Sequence, residues 1–152
     1  LPALERWILD RIGPKPAWFS GVRVRITGDC AFVPVRLPED TDAGLPARVR
    51  FTFEAAQSLP GLPEGHPCRK LHGHSYRVEA GARDLDALVP HLAALYDTLD
   101  HRYLNELPGL EQATVETLCG HVWRWLEERE AAPTAVAVQE TPSSRGIYFG
   151  ED

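Results

Sequence analysis

The sequence predicts an α+β domain with helices packed on one face of an antiparallel sheet. Three observations carry that expectation. Apolar and polar residues alternate over 49–54, and His72 to Glu79 continues as a second run with the period of a half-buried strand. Two helical stripes follow, one over residues 85–99 and one from Thr114 onward. Two more strand-like runs close the chain. The order is strand, strand, helix, helix, strand, strand, behind an N-terminal helix and hairpin.

The elements can be justified in chain order. Leu4, Trp7, Ile8 and Ile12 recur at helical spacing until Gly13-Pro14 stops them. Val22, Val24 and Ile26 alternate with Arg23 and Arg25. Ala31 to Leu37 would pair with that run through the turn-forming triplet Thr27-Gly28-Asp29, with Pro34 assigning it to an edge. Residues 38–46, PEDTDAGLP, read as a polar linker. Val49, Phe51 and Phe53 then alternate with Arg50, Thr52 and Glu54 and lead into Ala55-Ala56-Gln57. A Pro/Gly-rich loop covers 60–67. Leu85, Leu88, Val89, Leu92, Leu95, Tyr96 and Leu99 form the first long stripe. Thr114 is placed as the N-cap of the second, with Glu116 near the positive end of its dipole and Val115, Leu118, Val122 and Leu126 inward. Val136 and Val138 mark the next strand and Gly146 to Phe149 the last. The organisation expected is an extension over 1–48, packed on the same domain, and a main domain over 49–152.

Composition narrows the function classes. The 152 residues are 43% apolar and 25% charged, ordinary for one soluble domain with a core. A net charge of -6 argues against a nucleic-acid binder, which needs a basic face. No apolar run approaches the roughly 18 residues of a membrane span. The opening LPALERWILDRIG lacks the basic start, apolar middle and cleavage site of a signal peptide. Cys30, Cys68 and Cys119 are odd in number and widely spaced, a poor disulfide framework, so a reducing cytoplasm is expected.

The stretch CRKLHGHSY, Cys68 to Tyr76, concentrates the chemistry. His72 and His74 sit two apart on a strand and so share a face. Such a pair suits zinc, which imidazole nitrogens reach at about 2.0–2.1 Å; a turn with incidental histidines is the other reading. Cys68 lies beside Arg69 and Lys70, cations that favour the reactive thiolate, although a half-buried thiol also acts as a small hydrophobe. Cys30 and Cys119 are read as structural. Asp100-His101 follows a helix end, where the pair either orients an imidazole as a base and its orienter do, or caps the helix in solvent. Glu140 ends a strand. There a carboxylate either matches the paired N–H donors of a pterin-like ring edge or is simply solvated.

Taken together, FTFEAAQSLPGLPEGHPCRKLHGHSYRVE, LDHRYLNELPGL, TVETL and VAVQETPSSRGIYFGE resemble the 6-pyruvoyl-tetrahydropterin synthase family, in order over about residues 49–151. Within it they look most like the bacterial 6-carboxytetrahydropterin synthases of queuosine biosynthesis, since the spacing Cys-x-x-x-His-Gly-His favours that branch. The resemblance implies a tunnelling fold: a four-stranded antiparallel sheet with two helices on one face, whose copies join into a barrel. It implies a homo-oligomer with active sites between subunits. It further implies zinc on His72 and His74, Cys68 as general base, and Asp100 and His101 completing the proton-transfer set. Glu140 would anchor the pterin, and Thr114 and Glu116 would shape the pocket. The implied reaction converts 7,8-dihydroneopterin triphosphate to 6-carboxytetrahydropterin with release of acetaldehyde and triphosphate.

The sequence departs from the family twice. Gln57 stands where the family has its first zinc ligand, a His in F-x-A-A-H. An amide oxygen is a weaker zinc donor than imidazole, which leaves three outcomes: Gln57 coordinates, His66 steps in, or no metal binds. The alternative function is therefore a divergent, non-catalytic pterin- or purine-binding member. Secondly, only SYRVEAGAR separates His74 from Asp84, shorter than the family's strand-hairpin-strand, and the N-terminal hairpin is expected to take that place in the sheet.

Overall fold

The computed structural model describes residues 2–24 and 31–150. The chain divides into two compact units, Leu1–Ala31 and Phe32–Asp152. The first carries helix α1 (Pro2–Arg11), which buries none of its residues. The Arg11 guanidinium lies 4.0 Å over the Trp7 ring, and the Val24 amide donates to Glu5 at 2.8 Å. Val22 to Val24 are not in a strand. The rest of the expected first hairpin arm, its Thr27-Gly28-Asp29 turn and Cys30 lie outside the described residues.

The second unit holds a five-stranded antiparallel sheet in the order β1-β2-β3-β4-β5. The strands are β1 (Val35–Leu37), β2 (Arg48–Gln57), β3 (His72–Ala82), β4 (Pro133–Thr141) and β5 (Ser144–Tyr148). Helices α2 (Leu85–Leu99) and α3 (Val115–Glu127) lie between β3 and β4 in the chain. The sheet thus has five strands where four were expected from the main domain. The extra one, β1, pairs Val35, Arg36 and Leu37 with Arg50, Val49 and Arg48 along the first half of β2. Farther along β2 its edge is taken by the segment after α2, where the Ala56 amide donates to the Arg102 carbonyl at 2.9 Å.

Alternation decides which face is buried. Val49, Phe51, Phe53 and Ala55 of β2 lie opposite Ala80, Val78, Tyr76 and His74 of β3, so both sets project to one side. All of those but His74, with Val136 and Val138 of β4, form the core with Leu88, Leu92, Leu95 and Leu99 of α2 and Leu118, Val122 and Leu126 of α3. Each fully buried side chain of this kind contributes about 1.5–3 kcal/mol. The helices start where capping chemistry puts them. The Asp84 side chain accepts from the amides of Asp86 and Ala87, and Thr114 from that of Thr117.

Two charged residues, Glu79 and Arg48, are buried on the opposite face. Glu79 lies between two guanidiniums, Arg48 Nε at 2.6 Å and Arg145 at 3.0 Å. Arg48 also donates to the carbonyl of Pro38 at 2.8 Å, which ties the 38–46 segment to the sheet.

Candidate active site

The core ends, and polar chemistry begins, at one end of β2 and β3. Continuing the inward face past Phe53 and Tyr76 brings Ala55 opposite His74 and Gln57 opposite His72. The His72 and His74 rings meet edge to face at 5.0 Å, and His74 meets Tyr76 likewise at 5.6 Å. Between the histidines, Gly73 runs so close to β2 that a Cβ would come 3.3 Å from the Ala55 carbonyl oxygen.

Hydrogen bonding fixes the His72 tautomer. Its Nδ1 lies 2.7 Å from the Lys70 carbonyl, which only accepts, so Nδ1 carries the proton and Nε2 presents a lone pair. That Nε2 is buried without a partner. Among the described residues three buried side-chain atoms are in this position: His72 Nε2, Gln57 Oε1 and Tyr76 OH. All three residues share the inward face of adjacent strands. Burying a polar atom unsatisfied costs about 1–3 kcal/mol, so their gathering on one patch points to a bound group.

Gln57 is 1% exposed, and its Nε2 donates to Glu140 Oε2 at 3.2 Å. The other Glu140 oxygen accepts from Ser144 Oγ at 3.0 Å. Burial and then the Glu140 charge push the Tyr76 hydroxyl up, so it stays protonated.

A second constellation forms where α2 ends. The Asp100 carboxylate accepts from the Glu54 amide at 2.9 Å, from Tyr96 OH at 2.8 Å and from His101 Nδ1 at 2.6 Å. Burial works to raise this carboxyl, but the hydrogen bonds from Glu54, His101 and Tyr96 outweigh it and hold it below the usual range. His101 donates through Nδ1 and therefore offers Nε2 outward. Its backbone is left-handed, with φ 56°, held by its own amide donating to the Glu54 carbonyl at 2.6 Å.

Two clefts meet along Gly73-His74-Ser75. One, of about 480 Å³, is lined by His74 together with His101, Glu54 and Tyr103. The other, of about 460 Å³, is lined by His74 with Glu140, Arg77 and Gln139. The structure thus brings His74 and His101 to one cleft, with Asp100 behind His101 as its hydrogen-bond partner, and His74 and Glu140 to the next.

The remaining expected site residues lie elsewhere. Cys68 is half-buried in the short helical turn Pro67–Arg69, where its amide donates to His66 Nδ1 at 3.2 Å and its carbonyl accepts from the Leu59 amide at 2.8 Å. His66 is therefore the cap of that turn. Thr114 and Glu116 sit at the start of α3, and the Thr114 hydroxyl, with the residue's own amide, draws the Glu116 carboxyl down. Cys119 is buried in α3 and its thiol is pushed up to about 11, mainly by burial, which makes it inert.

Tyr76, Glu54 and Tyr96 were not singled out from sequence. The signal for Tyr76 was its even spacing from His72 and His74, and for Tyr96 its place four residues before Asp100.

The donor chemistry of the inward patch fits a metal ion with nitrogen and oxygen ligands. Among the described residues no three His, Cys, Asp or Glu side chains are placed together to hold one. Were a metal held there, a third protein donor beside the two imidazoles would be of another type; Gln57 Oε1 lies opposite His72, unsatisfied.

No helix among the described residues is long and apolar enough to cross a membrane. Residues 47–151 match the model of the family described as 6-pyruvoyl tetrahydropterin synthase. Over 116 residues the chain is 39% identical to the 6-carboxy-5,6,7,8-tetrahydropterin synthase of Synechocystis sp., an alignment covering 65% of this chain and 88% of that one. The structure of Caenorhabditis elegans 6-pyruvoyl tetrahydropterin synthase superposes with a TM-score of 0.58 at 19% identity, over 82% of this chain and 100% of that one, and shares its fold. With the match reaching from the start of β2 past the end of β5, the chain belongs to the 6-pyruvoyl tetrahydropterin synthase family.

Proposed function

We propose that the protein is a 6-carboxytetrahydropterin synthase, a lyase that converts 7,8-dihydroneopterin triphosphate and one water to 6-carboxytetrahydropterin, acetaldehyde and triphosphate. One observation supports this above the others: His74 belongs both to the cleft lined by His101, which Asp100 orients, and to the cleft lined by Glu140. Proton transfer and ring anchoring would then flank the same histidine.

Each residue has a role consistent with its surroundings. Glu140, held by Gln57 and Ser144, keeps acceptor sites for the N–H donors of the pterin edge. Asp100 fixes His101 in the tautomer whose outward Nε2 exchanges a proton with the substrate side chain. Cys68 is the general base that removes the other proton, and Thr114 and Glu116 shape the wall at the start of α3. Zinc, held by His72, His74 and Gln57, would polarise the side-chain hydroxyls and lower their pKa. The enzyme works as a cytoplasmic homo-oligomer with active sites between subunits, in queuosine biosynthesis.

Gln57 favours a second reading, a family member that binds pterins or purines without turnover. Incubating purified, zinc-supplemented protein with 7,8-dihydroneopterin triphosphate separates the two. Acetaldehyde and 6-carboxytetrahydropterin in equal amounts are expected; tight binding with neither product supports the binder. Unchanged pterin affinity in a Glu140→Ala variant refutes both.

A further inference from the structure

The amide of Gln57 faces two ways, and its two ends do different things. Nε2 donates to Glu140 Oε2 at 3.2 Å, while Oε1 is buried with no partner. A half-turn of the amide would set Oε1 against the carboxylate and bring two oxygens together. The Glu140 charge therefore decides which way the amide points. Donation to a carboxylate also shifts electron density onto the amide oxygen and makes it a better donor. Directly across the strands, His72 has its Nδ1 proton pinned by Lys70 and its Nε2 lone pair unused.

We infer that Gln57 is a positioning residue that joins the ring anchor to the cation position: Glu140 turns the amide so that Oε1 serves as the third donor beside His72 and His74. The inference rests on the proposed metal and ring sites. It adds a dependence stronger than that of an imidazole, because only the oxygen end of an amide can ligate, whereas an imidazole has a ring nitrogen that can ligate on either side. Two consequences follow. Glu140, though no ligand, supports cation affinity through Gln57. By linkage, a bound cation and a bound pterin ring alter each other's affinity by one common factor.

The test is a double-mutant cycle read by zinc affinity, from chelator competition, with the visible spectrum of bound Co²⁺ as a signature of the donor set. The four proteins are wild type, Glu140→Ala, Gln57→His and the double variant. Glu140→Ala is expected to weaken zinc on the order of tenfold in the wild-type background, as loss of an outer-shell partner does, and to change the Co²⁺ spectrum. In the Gln57→His background the same substitution is expected to cost clearly less, because either ring nitrogen can ligate. Glu140→Gln, which keeps an acceptor oxygen, should retain part of the affinity and guards against misfolding of the alanine variant. Equal losses in both backgrounds, no loss in either, or a wild type that takes up no zinc would overturn the inference. Fluorescence titration of the metal-free proteins with unsubstituted pterin reports the ring anchor separately. Loss of that binding on Glu140→Ala leaves the ring site standing whatever the metal result.

Discussion

Two polar clusters are buried in this sheet, on opposite faces, and they differ in how their atoms are satisfied. Around Glu79, each charge is met: Arg48 at 2.6 Å, Arg145 at 3.0 Å, and the spare guanidinium hydrogens of Arg48 by the Pro38 carbonyl. Around Gln57, His72 and Tyr76, three atoms are buried and unmet. The first cluster is complete within one chain and holds the 38–46 segment to the sheet. The second leaves three polar atoms of the chain without a partner. A satisfied buried network secures structure, and an unsatisfied one marks where a fold gives up stability to bind.

Substitutions can break or sharpen that contrast. Glu79→Ala should be the most damaging to folding. It leaves the buried Arg48 with only the more distant Asp40 carboxylate, 3.7 Å away, and a loss of about 2–4 kcal/mol is expected in chemical denaturation, with no rescue by zinc or pterin. His101→Gly should lower turnover by about 10²–10⁴ through loss of the proton-transfer group. Glycine accepts the φ of 56° freely, so denaturation should show stability within about 1 kcal/mol of wild type. Tyr76→Phe removes one unmet atom. In the unliganded protein it should be neutral or stabilising by up to about 1 kcal/mol. A marked loss of stability there would mean that the hydroxyl is already satisfied and would erase the contrast.

The smallest effect concerns pH. The Asp100 carboxyl is held below its unfolded value near 3.9, so its contribution is present above that pH and is lost as pH falls through the lower folded value. Wild type should lose stability below about pH 4 more steeply than Asp100→Asn, measured by urea midpoints across that range.

Much of the fold was legible because burial writes itself into alternation. Val49, Phe51 and Phe53 show the period of β2, and the stripe from Leu85 to Leu99 matches α2 to the residue. Strand β1 was harder: three residues are too few to display a period, and its pairing with β2 depends on the far side of the 38–46 segment. At the site, the His72–His74 pair and the Asp100–His101 pair were local and could be read. The bond from Gln57 to Glu140 spans 83 residues and depends on how the strands meet, which no local pattern encodes. The left-handed backbone of His101 was equally invisible, since it is imposed by Glu54 from another strand.

Gly73 carries no functional atom, yet it governs the tolerance of everything around it. With 3.3 Å between its would-be Cβ and the Ala55 carbonyl, even a methyl group must wedge the two strands apart by a few tenths of an ångström. Both imidazoles ride on the strand that would be lifted. The gauge of the histidine couple is thus machined by main-chain contact, and the most economical way to misalign it is to add one carbon at a position that has no side chain of its own.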